Sequence, residues 1–144
     1  MECGGFKFLE HTADVYFVAS GGSLEEAFVN AAKAMFETIT NTSKVNIDSC
    51  FEVVDSCYDL HNCVYRWLED LLILHDSRNL VFRDFEFRFI VKEEDEYKFL
   101  GRACGEVYTP GKHEPRMVVK AVTYSLMSIE NLDGCWRIYV VLDI

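Results

Sequence analysis

Trp136-Arg137-Ile138-Tyr139-Val140-Val141-Leu142-Asp143-Ile144 is the stretch around which the chain is organised. Trp136, Ile138, Val140 and Leu142 alternate with Arg137, Tyr139 and Asp143, the two-residue period of a strand with one apolar face. At its end stand two negative groups, the Asp143 side chain and the α-carboxylate of Ile144. Chain ends are usually frayed and polar. A buried strand that ends in two negative groups is expected to have a positive partner. A hard cation, shared with a third carboxylate from near the N-terminus, suits oxygen donors of this kind.

Just upstream, Asp133-Gly134 reads as a two-residue hairpin turn. Residues 118–130 are then the preceding strand. In that register Glu130 faces Arg137, Ser128 faces Tyr139, Leu126 faces Val141 and Tyr124 faces Asp143. The opposite charges of Glu130 and Arg137 agree with it. Asp143 shares a face with Tyr139, Arg137, Tyr124 and Lys120, and the apolar residues take the other. Lys120 stands four residues before Tyr124, about 13 Å along the strand, on the same surface as Asp143 but beyond direct contact. A slip of one residue would exchange the two faces.

Further out, residues 6–10 and 15–20 read as strands, separated by His11-Thr12-Ala13-Asp14 and closed by Gly21-Gly22. Ser23 with Glu26 three residues later is a capping box. Leu24, Ala27, Phe28, Ala31, Ala32, Met35, Phe36 and Ile39 follow it at helical spacing. Residues 40–43 are a loop and 45–55 are weakly strand-like. Asp59 caps a second helix with Leu60, Cys63, Val64, Trp67, Leu68, Leu71 and Leu72 on one broad face, a stripe that reads as core. Phe85, Phe87, Phe89 and Val91 alternate with Asp84, Glu86 and Arg88, a strand with one wet face. Glu93-Glu94-Asp95-Glu96 is a solvated turn into a return strand over 97–108; it lacks the glycine and spacing of a calcium loop. Residues 109–117 hold both prolines with Lys112, His113 and Arg116. They read as a flexible basic loop, the best place on this acidic chain to touch a phosphate or an acidic partner. The order of elements predicts a single α+β domain over 1–144, a mainly antiparallel sheet with two long helices packed on one face.

A chain of 144 residues that is 50% hydrophobic can bury a core without metal or disulfide staples. The net charge of −10 argues against strong direct nucleic-acid binding, which draws on Lys and Arg clusters. No apolar run reaches membrane-spanning length and no signal sequence is visible, so a cytoplasmic protein is expected. Six cysteines include no C-x-x-C pair. Reduced thiols are the expectation in that compartment, with Cys63 and Cys135 as small buried apolar residues. The phosphate-loop, dinucleotide, serine-hydrolase and zinc-protease motifs are absent. On the residues alone, Asp14 is an ordinary acid at a turn, and His11 lacks a second His or Cys at ligand spacing.

Taken together, Glu10-His11-Thr12-Ala13-Asp14-Val15, Ser23-Leu24-Glu25-Glu26-Ala27-Phe28 with Ala31-Ala32, Trp67-Leu68-Glu69-Asp70-Leu71-Leu72, Val119-Lys120-Ala121-Val122-Thr123-Tyr124 and Val140-Val141-Leu142-Asp143-Ile144 resemble, in order, the signatures of the archease family. Tyr16 departs from the glycine common there, and residues 41–57 are variable. The resemblance implies a protein cofactor, not an enzyme. It would promote guanylylation and multiple turnover of an RtcB-type RNA ligase in tRNA splicing. It also implies a divalent-metal site at Asp14, Asp143 and Ile144, with calcium the first expectation and magnesium or manganese the alternatives. Lys120 would contact the partner, and His11 and Tyr124 would stand behind the ligands. A small metal-dependent hydrolase or nuclease using the same carboxylates is the competing reading, and a general chaperone with a structural cation the third.

Overall fold

Capping and register account for most of the architecture. The structure, a computed structural model, describes residues 2–144. In chain order the elements are β1 (Gly5–Leu9), β2 (Val15–Gly21), α1 (Leu24–Ile39), β3 (Ser49–Cys57), α2 (Leu60–Arg78), β4 (Leu80–Glu93), β5 (Glu96–Val107), β6 (Ala121–Val122), β7 (Ser128–Leu132) and β8 (Cys135–Asp143). The Ser23 hydroxyl accepts from the Glu26 amide at 3.1 Å, and the Glu26 carboxylate accepts from the Gly22 amide at 2.8 Å. The capping box therefore forms with its return bond shifted one residue outward. Asp59 caps α2 by accepting from the Asn62 amide at 2.7 Å. Asn79 ends that helix in the left-handed conformation, which asparagine tolerates well.

Every strand pairing is antiparallel, as expected, but the strands divide into two sheets. The first runs β1-β2-β8-β6, with β7 also on β8; the second runs β3-β5-β4. The single sheet expected from the sequence is corrected in this respect. Strands β3, β4 and β5 pair only among themselves, and both helices contact strands of both sheets. Phe17, Phe28, Phe36, Trp67, Phe82 and Phe99 are fully buried between these layers. Trp67 can be buried because its indole N–H donates to the Phe28 carbonyl at 2.9 Å, tying α2 to α1.

The continuous strand expected over 118–130 is also corrected. Glu130 pairs with Arg137 and Ser128 with Tyr139, as the turn predicts. Beyond them the chain turns at Tyr124–Met127, where the Met127 amide donates to the Tyr124 carbonyl at 3.1 Å and Leu126 takes φ 54°. Pairing then resumes with Val122 on Leu142 and Ala121 on Asp143. Ala121, three residues before Tyr124, thus occupies the place the unbroken register assigned to Tyr124.

Gly105 marks the closest approach within the second sheet. A Cβ there would overlap the Val81 carbonyl oxygen, a backbone atom that cannot rotate away. Gly105→Ala is expected to cost about 3 kcal/mol, the scale of overpacking in a close-packed interior. Gly22→Ala, whose Cβ meets nothing nearer than 3.6 Å, is the control. Urea midpoints of the two variants measure the difference; equal midpoints would mean the sheet adjusts freely.

Candidate functional site

The central pair β2 and β8 decides where the predicted site residues stand. Their ladder begins at Val15 opposite Leu142. Asp14 and Asp143 are the residues just beyond that pair, one on each neighbouring strand. On the other side of β8, the Lys120 amide donates to the Asp143 carbonyl at 2.7 Å. Lys120, which the unbroken register put beyond reach, is therefore bonded through its backbone to Asp143. Asp143 and Lys120 are exposed, and Asp14 and Ile144 are half-buried. The Ile144 side chain packs against the core, which anchors the end of β8.

The other two predicted residues stand elsewhere. Exposed His11 lies edge-on to Tyr16, with ring centroids 5.9 Å apart. Tyr124 packs on α2: its hydroxyl accepts from Asn62 Nδ2 at 2.9 Å, and its ring stacks on Tyr65 at 4.8 Å. The facing of Tyr124 onto Asp143 is corrected by the three-residue shift in register.

Among the described residues no three His, Cys, Asp or Glu side chains converge into a metal cluster. Asp14 and Asp143 are therefore only two side-chain carboxylates at this end of the sheet, and a cation there would need a further oxygen from the main chain, for which the sequence-based expectation names the α-carboxylate of Ile144. These oxygens are hard donors without sulfur or imidazole, a set that fits calcium, magnesium or manganese rather than a softer ion. Asp14 also stands on the wall of a groove of about 450 Å³, with Phe8, Leu9, Val15, Tyr16, Glu37, Thr38, Arg116 and Met117.

Comparison with known proteins places the chain in a family. Residues 6–144 match the model of the family described as Archease protein family (MTH1598/TM1083). The chain belongs to the archease family. Protein archease of Aeropyrum pernix is 42% identical over the full length of both chains. That of Pyrococcus abyssi is 48% identical over 94% of this chain and 95% of its own. The solution structure of Methanobacterium thermoautotrophicum protein 1598 superposes with a TM-score of 0.83 at 40% identity, covering 97% of this chain and 99% of that one. An archease of Thermotoga maritima, described as a possible chaperone, superposes with a TM-score of 0.59 at 25% identity, covering 96% of each chain.

This archease also contains charged centres that sequence reasoning missed. Glu106, on β5, is buried. It accepts from the Asn46 amide at 2.7 Å, Lys112 Nζ at 2.7 Å and His113 Nε2 at 2.9 Å. Together, the Asn46 amide first among them, they hold its carboxyl down at about 2. Arg116 is bonded to Glu37 at 2.7 Å and to Glu114 at 2.8 Å. The basic loop over 109–117 is thus corrected: its cations are bound to the protein's own carboxylates. The signal was present in the sequence, a strand glutamate six and seven residues before Lys112 and His113, across the Pro110-Gly111 bend.

A second pair joins α2 to β3. Burial, then a hydrogen bond to Asp55, raises the Asp70 carboxyl from 3.8 to about 7. Because the folded chain binds this proton more tightly, the stabilisation is full below about pH 3.8 and is lost as pH rises to about 7. Glu106 acts in the opposite sense: its contribution is present above 4.5 and is lost as pH falls towards 2. The urea midpoint of the wild type is therefore expected to fall between pH 4.5 and 7.5 relative to Asp70→Asn. Parallel profiles of the two proteins would refute the shared proton.

The six cysteines form three disulfides, Cys3–Cys135, Cys50–Cys104 and Cys57–Cys63. The expectation of free thiols is corrected. Cys50 and Cys104 are direct cross-strand partners in the β3–β5 ladder. Cys57 ends β3 and Cys63 lies in the first turn of α2. Strand register creates the Cys50–Cys104 pair, the docking of α2 on β3 creates Cys57–Cys63, and the meeting of the two ends of the chain creates Cys3–Cys135.

Proposed function

We propose that this archease is a cytoplasmic protein cofactor of an RtcB-type RNA ligase in tRNA splicing. It promotes guanylylation of the ligase and lets it turn over repeatedly, without itself catalysing the joining. A divalent cation, calcium first and magnesium or manganese next, is held by Asp14, Asp143 and the Ile144 α-carboxylate. When bound, the cation would supply positive charge that offsets the like charges of the three carboxylates gathered around it. The observation that carries the reading is the β2–β8 register, which brings an N-terminal and a C-terminal carboxylate to the same end of one sheet. Lys120 supports it, since an exposed lysine next to that end can meet a phosphate or an acidic group of the partner.

Within this reading each protein group has a simple task. The core contact of Ile144 and the paired β8 strand hold the terminal oxygens still. The Asp143 carbonyl is taken up by the Lys120 amide, so only its side chain faces outward to a ligand. The test is radiolabelled guanylylation of the purified ligase, with and without this protein, in calcium, magnesium or manganese. Faster labelling and repeated turnover are expected. Unchanged labelling in all three cations would sink the proposal, and cleavage of RNA by the protein alone would favour the hydrolase reading instead.

A further inference from the structure

The first sheet is left uncovered on its helix-facing side at the Asp14 end. Phe8 pairs directly with Phe17 across β1 and β2. Directly opposed residues of an antiparallel pair point to the same face. Phe17 is fully buried, so Phe8 lies on the inner, helix-facing side, yet it is 44% exposed. The reason is that α1 stops at Ile39, and the end of the basic loop, at Arg116 and Met117, crosses beyond it. The Arg116 and Met117 amides donate to the Ile39 and Thr38 carbonyls at 3.2 and 3.1 Å. That segment stands away from the sheet and leaves the groove of about 450 Å³ between them. Met117, on its far wall, is 49% exposed, and neighbouring Val118 is 77% exposed.

The chemistry of the walls restricts what could lie there. Phe8, Leu9, Val15 and Met117 offer apolar surface. The guanidinium of Arg116 is already bonded to Glu37 and Glu114, both within 2.8 Å. Asp14 is then the groove carboxylate not held by Arg116, and with one oxygen given to the proposed cation its other oxygen can answer a charge on the occupant, in a chain of net charge −10. β1 is also an edge strand, paired on one side only, so its outer main-chain groups can accept an added strand.

We propose that this groove is the docking site for an extended segment of the partner ligase, one that places an apolar side chain between Phe8 and Met117 and a Lys or Arg beside Asp14. The proposal rests on the ligase-cofactor reading above and specifies which face of the protein is used and what it recognises. Docking there brings the partner to the Asp14–Asp143 end directly, because Asp14 belongs to both the groove and the proposed cation site.

The experiment uses Phe8→Glu and Met117→Glu, two exposed positions where a charge leaves the core intact. Ligase affinity is measured by titration calorimetry, calcium affinity in a separate titration without ligase, and mass by light scattering. The expected result is ligase binding weakened by at least about 30-fold in each variant, the scale of losing a buried interface anchor, with calcium affinity unchanged. Ligase binding within two-fold of wild type in both variants would overturn the groove while leaving the cofactor reading standing. A wild type that does not bind the ligase at all overturns both. A wild-type dimer that Met117→Glu dissociates assigns the groove to a second copy of this chain and likewise overturns the proposal.

Discussion

Cys3→Ser with Cys135→Ser is expected to lower the stability of this archease by about 5 kcal/mol, in the chain-entropy account of a long disulfide loop. The two cysteines are separated by 132 residues, with Cα atoms 5.8 Å apart. A cross-link over nearly the whole chain removes many conformations from the unfolded state and few from the folded one. The same account ranks the other two bridges. Cys50–Cys104, with a separation of 54, contributes about 4 kcal/mol, and Cys57–Cys63, with a separation of 6, about 2 kcal/mol. Denaturant midpoints of the three paired serine variants give the order directly. Six reactive thiols in the unreduced, denatured wild type would reject the bridges, and a Cys3–Cys135 variant as stable as wild type would reject the entropic ranking.

The second large effect concerns the end of the first sheet. Asp143→Asn is expected to weaken calcium binding by at least about 100-fold, more than the 10–100-fold typical of losing a group behind a metal ligand, and to abolish stimulation of the ligase. Asp143 is exposed and lies at the end of β8, so the fold should survive. With chelator present the variant is expected to be no less stable than wild type, because one of two like charges at the same end of the sheet is gone. Adding a single glycine after Ile144 is the companion variant. It keeps both aspartates and displaces the α-carboxylate, and it should lose calcium to a similar extent. Calcium affinity and stimulation within two-fold of wild type in both variants would remove the cation from the account. Loss from Asp143→Asn alone would leave the cation and remove Ile144 from its ligands.

Local chemistry was the most legible part of the sequence. Ser23 and Asp59 start the two helices where their side chains can cap them, because a cap depends on residues within one turn. The Asp133-Gly134 turn set the near end of the last hairpin for the same reason, with Asp133 and Gly134 both at positive φ. The prediction failed at Tyr124, where the preceding strand turns away. The tyrosine finds better partners on α2, an amide from Asn62 and the face of Tyr65, than it would on an edge beside Asp143. With the shifted register Ala121 pairs with Asp143, and the Lys120 amide rather than Tyr124 stands next to Asp143.

From its own residues the sequence determined the α+β class, both helices and their buried faces, and the apolar alternation of β8, since periodicity and capping act over a few residues. The motifs in order likewise identified the family. Only the tertiary structure decided the split into two sheets, the three disulfides, the sequestering of the basic loop by Glu106 and Glu37, and the groove beside Asp14. The sheets, the groove, the Cys3–Cys135 and Cys50–Cys104 bridges and the Glu37–Arg116 pair join groups far apart in the chain, whose meeting is set by the packing of the whole core; Cys57–Cys63 and the Glu106 contacts are close in sequence, but only the placing of α2 on β3 and of the loop on β5 brings them together.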